Sequence, residues 1–337
     1  MAVTIKDVAN RAGLSPATVS RALNKSGYVS AENVRRVEEA IAELGYQPNW
    51  MARGLHGKSS NLIGLIVPEV MSLYDNSVIQ VIANELHHHG YGLLLCLHNE
   101  EGEQDLSYLR HLQEKQVSGI IYTHPLSGNN SAFVRQLAEQ IPVIELNRRR
   151  ERDTLDAVLA DNIQGAYQIT QYLLGLGHRR IALIMGEDEL TTGQNRLHGY
   201  QLALGDVGIT IDPDLVRIGS FSRGHGEAAT AALLDLDPLP TAILAGSNRI
   251  LMGVLQVLTK RHVTIPDTIS VAAFNDTEWL QIWDPPITTV DTDVAEMARL
   301  AVDLLLQRIT NPDKMAKPRE YLLGTSLLIR ASCQGVG

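Results

Sequence analysis

Cysteine is nearly absent. Cys96 and Cys333 are the two in 337 residues, and neither has a neighbour at metal-ligand spacing. Two thiols so far apart give no disulfide framework and no zinc site, the pattern of a chain kept reduced in the cytoplasm. Long apolar runs are missing too. No stretch approaches the roughly 18 residues that a membrane helix needs, and no apolar signal region precedes Thr4. Catalytic signatures are equally scarce: there is no G-x-S-x-G, no H-E-x-x-H and no G-x-G-x-x-G. Gly57-Lys58-Ser59 resembles the end of a phosphate loop, but Ala52 stands where a glycine is required, and a strand follows rather than precedes. His87, His88 and His89 are consecutive, so one helix face cannot aim all three at a metal. A solvated helix end accounts for them. These absences argue against an enzyme, a metal, a cofactor and a membrane.

What is present begins at residue 4. The stretch TIKDVANRAGLSPATVSRALN reads as two short helices around a tight turn. Thr4 and Asp7 have capping-box spacing, Gly13 suits a left-handed helix end, and Ser15 with Pro16 suits a second helix start. Val8, Ala12, Leu14, Val19 and Leu23 are spaced to pack the pair together, leaving Thr18, Ser20, Arg21 and Asn24 on the other side. That is a helix-turn-helix whose second helix can enter a major groove; an ordinary αα-hairpin is the alternative. A third helix is expected from a Ser30 cap to Gly45, with Val34, Val37, Ile41 and Leu44 on its apolar face.

The net charge of −9 is wrong for a DNA binder until it is divided. Residues 1–60 hold eight Lys and Arg against five acids, +3, which leaves −12 for the remainder. A basic head can neutralise phosphates while an acidic body stays off the polyanion. Between them, YQPNWMARGLHGKSS contains a helix of under two turns after Pro48, too short to be stable alone in water.

From Leu62 the texture changes. Apolar runs at 62–67, 91–97, 117–123, 142–146, 157–161, 180–186, 241–246, 268–274 and 287–291 read as strands. Amphipathic stretches at 76–89, 162–176, 194–207, 224–236, 248–261 and 294–309 read as helices. Such alternation predicts parallel sheets covered on both faces. It is too long for one sheet, so two lobes with a ligand cleft at the strand ends are expected.

The strings IKDVA, TVSRALN, ELGYQPN, VSGIIY, LGHRRIALI, RLHGY and PPITTVD, in this order, resemble the LacI/GalR family of bacterial repressors along the whole chain. The resemblance implies an α/β protein: a three-helix helix-turn-helix head over 1–47, a hinge helix and linker over 48–61, and an effector-binding and dimerisation body over 62–337. That body would resemble periplasmic sugar-binding proteins, with three crossings between lobe one (about 62–161 and 291–320) and lobe two (about 162–290 and 321–330). By resemblance Arg21 reaches a guanine, which an arginine fork pairs bidentately. Pro16 and Ala17 occupy the positions that distinguish operators, and Thr18, Ser20, Asn24 and Ser30 contact phosphates. Asn49, Ala52, Leu55 and His56 are the DNA-facing hinge residues, with Leu55 wedged into the operator centre.

The same resemblance lines the cleft with Tyr74, Asp75, Asp161, Arg196, Phe221, Ser247, Asn248 and Asn275, and places Arg148 and Arg249 nearby. Many relatives carry Asp where this chain has Asn275, and Asn-Asp where it has Ser247-Asn248. Carboxylates suit neutral polyols. Their replacement beside arginines points to a sugar acid or phosphorylated sugar, with a neutral sugar or a purine as alternatives. The expected activity is repression of a carbohydrate or sugar-acid operon by a homodimer on a pseudo-palindromic operator, relieved by inducer. A corepressor-dependent purine or nucleoside regulator is one alternative. A solute-binding protein is another, but it would need an export signal and has no use for residues 1–60. With no heptad-patterned tail after the last strand, a dimer is expected rather than a tetramer.

Overall fold

A computed structural model of the chain describes residues 3–24, 27–46, 60–68, 72–97, 105–123, 129–149, 155–187, 189–311 and 317–336. It separates into two compact units, residues 1–60 and 61–337. The hinge residues Asn49, Ala52, Leu55 and His56 fall outside the described residues.

The first unit is three helices, α1 (Ile5–Ala12), α2 (Pro16–Asn24) and α3 (Ala31–Leu44). Their boundaries follow from local chemistry. The Asp7 carboxylate accepts from the Thr4 amide at 2.8 Å and the Thr4 hydroxyl at 2.7 Å, which anchors the start of α1. Gly13 ends that helix at φ 65°, a conformation that would strain any residue with a Cβ. Ser15 takes the Thr18 amide at 3.1 Å, and Ser30 takes the Asn33 amide at 3.4 Å. Val8, Ala9, Ala12, Val19, Val37 and Ala40 form the small core, with Leu14, Leu23, Ile41 and Leu44 packed on it.

The second unit is built on two six-stranded sheets. The first comprises β1 (Leu62–Val67), β2 (Gly92–Leu97), β3 (Gly119–Tyr122), β4 (Val143–Asn147), β5 (Asp156–Ala160) and β11 (Glu320–Leu323), in the order β11-β5-β4-β3-β1-β2. All its pairs are parallel. The second comprises β6 (Ile181–Met185), β7 (Val216–Ile218), β8 (Ala242–Ala245), β9 (Ser270–Phe274), β10 (Thr288–Asp291) and β12 (Ser326–Leu328), in the order β12-β10-β9-β8-β6-β7. Only the β10–β12 pair in it is antiparallel. The inner strands of each sheet are rich in buried Val, Ile, Leu and Ala with an apolar cluster on either face, as a parallel sheet requires, while the edge strands β2, β11, β7 and β12 are more exposed.

Helices α4 (Leu73–His88), α5 (Asp105–Glu114) and α6 (Asn129–Ala138) belong to the first lobe. Helices α7 (Asn162–Gly175), α8 (Thr191–Asp206), α9 (Arg223–Leu234), α10 (Asn248–Lys260) and α11 (Glu278–Ile282) belong to the second. Helix α12 (Val294–Thr310) returns to the first lobe and packs on α4, β4 and β5. The chain therefore crosses between lobes after β5, after β10 and after β11. The last crossing lies at Gly324–Thr325, so residues 321–323 sit in the first sheet rather than in lobe two, because Tyr321, Leu322 and Leu323 pair with Val158, Leu159 and Ala160.

Each lobe holds one bidentate ion pair that ties late chain to early chain. Arg308 grips Asp156 at 2.7 and 2.8 Å, and Arg330 grips Asp276 at 2.6 and 2.8 Å. Burial pushes the Asp276 carboxyl up, but the two Arg330 hydrogen bonds and its charge, helped by Thr289 and Gln281, outweigh burial and hold it below the usual carboxylate range. Its contribution to stability is therefore complete above the free Asp value of about 4 and fades as pH falls through the depressed folded value. Asp276→Asn, which strands a largely buried guanidinium, should cost about 3 kcal/mol in urea unfolding at pH 7. The variant should also lose part of the wild-type fall in stability below pH 4. A variant matching wild type at both pH values would show that the pair is solvated and idle.

Candidate DNA-reading head and ligand cleft

In the head, the first turn of α2 is the exposed feature. Pro16 and Ala17 are exposed, Arg21 is exposed one turn later, and Thr18 and Ser20 are half-buried between them. The Thr18 hydroxyl lies 2.9 Å from that of Ser15, so it takes part in the cap as well as facing outward. Asn24 closes α2, and its side chain lies outside what is described. Ser30 caps α3. Tyr28, which no sequence pattern singles out, is 93 % exposed just before that cap.

In the body, the expected cleft residues gather around two guanidinium groups, one on buried Arg196 and one on half-buried Arg148. Arg196 is on α8 and only 4 % exposed. Its Nε donates to Asn162 Oδ1 at 2.7 Å, its Nη1 donates to the Gly246 carbonyl, and its Cζ lies 4.0 Å from the Phe274 ring centroid. Burial first, and then the charge of Arg148, pull Arg196 down to about 9, so it stays charged at neutral pH. Arg148 follows the end of β4 and stacks 4.8 Å over the Phe221 ring. Burial pushes it down as well, opposed by Asp75, Tyr74 and Glu187.

The remaining residues sit around this pair. Asp75 is buried at the start of α4. Tyr74 donates to Met297 Sδ at 3.6 Å, and burial drives its phenol far above the ordinary range. Asp161, at the first crossing, caps α7 through the Gln164 amide at 3.0 Å and donates its own amide to the Leu323 carbonyl at 2.7 Å. Ser247 caps α10 through the Ile250 amide at 3.2 Å. Asn248 follows it, and its amide oxygen and nitrogen are both buried without a hydrogen-bond partner. Asn275 sits at φ 69° directly after Phe274, with its amide on the Val290 carbonyl at 2.8 Å.

Several contributors carry no signal in the sequence. Asn162, Phe274 and the Gly246 carbonyl hold Arg196. Asp291 lies in the field of Tyr74, its own carboxyl pushed up by burial. Across the lobes, the Thr191 amide donates to the Arg149 carbonyl at 3.0 Å, the Arg149 amide to the Thr191 hydroxyl at 3.1 Å, and the Thr192 hydroxyl to the Asn147 carbonyl at 3.4 Å. Among the described residues no group of His, Cys, Asp or Glu is placed to hold a metal, and no helix is long and apolar enough to cross a membrane.

Gly186 sets the position of Phe221. A Cβ there would fall 2.1 Å from Cε2 and 2.2 Å from Cδ2 of the ring. Gly186→Ala should displace the ring and the guanidinium stacked on it, costing about 1–3 kcal/mol in urea unfolding. An unchanged midpoint would mean the ring moves aside freely.

Residues 4–49 match the model of the bacterial regulatory proteins of the lacI family, and residues 60–331 match that of the periplasmic binding proteins and sugar-binding domain of the LacI family. The chain is 32 % identical over 338 residues to the HTH-type transcriptional regulator RegA of Clostridium saccharobutylicum, covering 98 % of this chain and 99 % of that one. It is 29 % identical to the HTH-type transcriptional repressor PurR of Haemophilus influenzae, covering 99 % of each. Its structure is similar to that of the lac repressor dimer bound to operator and an anti-inducer, with TM-score 0.86, 28 % identity and coverage of 99 % and 100 %. A helix-turn-helix head followed by a two-sheet body, matched from end to end, shows that the chain belongs to the LacI family of DNA-binding transcriptional regulators.

Proposed function

We propose that this chain is a repressor of a carbohydrate or sugar-acid catabolic operon, held on its operator as a homodimer and released by a small inducer. Residues 1–47 form the reading head, 48–61 the hinge and 62–337 the effector-binding and dimerising body. The observation that carries this reading is the conjunction of two surfaces on one chain. The first two turns of α2 offer exposed Pro16, Ala17 and Arg21, while the body holds buried Arg196 and half-buried Arg148, neither hydrogen-bonded to a carboxylate among the described residues. One surface suits base edges in a groove; the other suits a small polar ligand.

In the head, Arg21 reads a guanine. Pro16 and Ala17 offer no hydrogen-bond donor and make apolar contacts or leave room. Thr18, Ser20, Asn24 and Ser30 set register on phosphates. Asn49, Ala52, Leu55 and His56 complete the contact from the hinge. In the body, Tyr74, Asp75, Arg148, Asp161, Arg196, Phe221, Ser247, Asn248 and Asn275 receive the effector. The mechanism needs only that the ligand bind the released form more tightly than the operator-bound form; a hundredfold preference is about 2.7 kcal/mol.

The corepressor-dependent purine reading is supported by the similarity to PurR. Against it, Phe221 already lies against Gly186 and carries Arg148 over its ring, so a base stacking there would have to displace the guanidinium.

Selection from a random duplex library should return an inverted repeat, as a two-fold dimer demands. Arg21→Ala should then lose roughly 1–3 kcal/mol of discrimination at one position in each half-site. Equal weakening on every sequence would reassign Arg21 to phosphate. A recovered site without two-fold symmetry would remove the homodimer reading. Sedimentation at micromolar concentration should give a dimer, and a tetramer or monomer would contradict it.

A further inference from the structure

We propose that the cleft ligand is a hydroxylated anion, whose carboxylate or phosphate is gripped by Arg148 and Arg196 together. This rests on the reading above that the cleft receives a small effector.

The first argument is the state of the two guanidinium groups. Arg196 spends Nε and Nη1 on Asn162 and the Gly246 carbonyl, both neutral acceptors. Such partners solvate a buried cation without neutralising it. Arg148 stands close enough to oppose it, and its own Nε is buried with no hydrogen-bond partner. Two like charges held together in a partly dry wall are costly unless an anion enters between them. Asp75 and Glu187 offset Arg148, and Glu187 does so from a partly exposed position. No carboxylate among the described residues forms an ion pair with Arg196. Asp291 is the other acid near Tyr74, and burial pushes its carboxyl up.

The second argument is Asn248. Its Oδ1 and Nδ2 are both buried and unpartnered, two residues after the carbonyl that holds Arg196. An orphaned buried amide carries the desolvation penalty of each group left without a partner. One ligand that both donates and accepts satisfies it, which is what a hydroxyl beside an anionic oxygen does. Asn248 also opens the 13-residue helix α10, so the amide stands at the positive end of that helix. The unmatched groups thus comprise one acceptor and at least two donors, Arg148 Nε and Asn248 Nδ2. A neutral sugar meets the hydroxyl requirement but leaves the charge of Arg196 uncompensated.

The test uses the full chain at constant ionic strength, with gluconate, glucose 6-phosphate, glucose and inorganic phosphate as probes. Melting temperature, calorimetric affinity and operator retention are read for each. At least one of the two hydroxylated anions should bind roughly tenfold or more tightly than glucose, and inorganic phosphate should compete with it. The gluconate and glucose 6-phosphate arms separate a carboxylate from a phosphate. Arg196→Lys should weaken the anion about tenfold although the charge is kept, because the fork is lost. Asn275→Asp places a negative charge beside Phe274 without removing a cation. It should weaken the anion by a clearly larger factor than glucose, which keeps the proposal testable if Arg196→Lys unfolds.

Glucose binding as tightly as its anionic counterparts, or no melting shift from any anion relative to chloride, would overturn the proposal. If glucose alone binds and releases operator, the anion fails and the repressor reading stands. If an anion binds through Arg196 but operator retention is unchanged, the anion site stands and the inducer reading fails.

Discussion

A guanidinium cannot give up its proton at neutral pH, so a fold that buries one must surround it with acceptors. Arg196 imposes that constraint on the whole second lobe. Its acceptors come from Asn162, in the first turn after the chain enters the lobe, and from the carbonyl of Gly246, at the end of β8. The ring beneath it is Phe274, at the end of β9. Three βα junctions therefore converge on one side chain at the carboxyl ends of parallel strands, where an open α/β sheet leaves its crevice. Removing the cation would leave those junctions without a common partner.

The packing that lets Arg196 reach Asn162 is equally restrictive. Helices α7 and α8 meet at Gly199, where a Cβ would lie 2.2 Å from the Ile163 carbonyl and 2.8 Å from Ala166 Cβ. The two helices touch backbone to backbone, and no larger residue is compatible with that distance. One turn earlier on α8, the same approach brings Arg196 to Asn162. Tyr200, the next residue, is fully buried and donates to the Ile181 carbonyl at 2.8 Å, which seats α8 on β6. The string RLHGY thus holds a buried cation, a contact glycine and a helix anchor in five residues.

Much of this architecture was legible in the sequence because it rests on period and punctuation. Thr4, Asp7, Gly13, Ser15 and Ser30 announce the head through caps whose partners are three residues away. The buried strands announce themselves as uninterrupted apolar runs. What was not legible depends on distant partners. Helix α8 starts at Thr191, three residues before its amphipathic pattern, because the Thr191 amide is held by the Arg149 carbonyl of the other lobe. Strands β7 and β12, of three residues each, are too short to show alternation. Helices α5 and α6 went unread because their polar residues blur the apolar stripe. In the cleft, Arg196 and Phe221 were readable by resemblance, whereas Asn162 and Phe274 resemble an ordinary helix start and an ordinary core residue until Arg196 is placed between them.

The order of residues along one short segment suggests how such a cleft could communicate. Asn147 and Arg149 hold the first turn of α8 through backbone and hydroxyl bonds, and Arg149 also pairs with Glu320 on the last strand of the first lobe. Arg148, between them, faces Phe221 and the field of Asp75. A ligand that draws on Arg148 therefore pulls on the segment whose neighbours fasten the two lobes. Three such hydrogen bonds, each worth about 0.5–1.5 kcal/mol net, amount to the same order as the 1–3 kcal/mol that typically couples two sites. Breaking or re-forming this small set is enough to bias one lobe arrangement over the other. Because Arg196 lies on the helix that these bonds restrain, a ligand of the proposed kind, touching both guanidinium groups, would act on the lobe arrangement from each lobe at once.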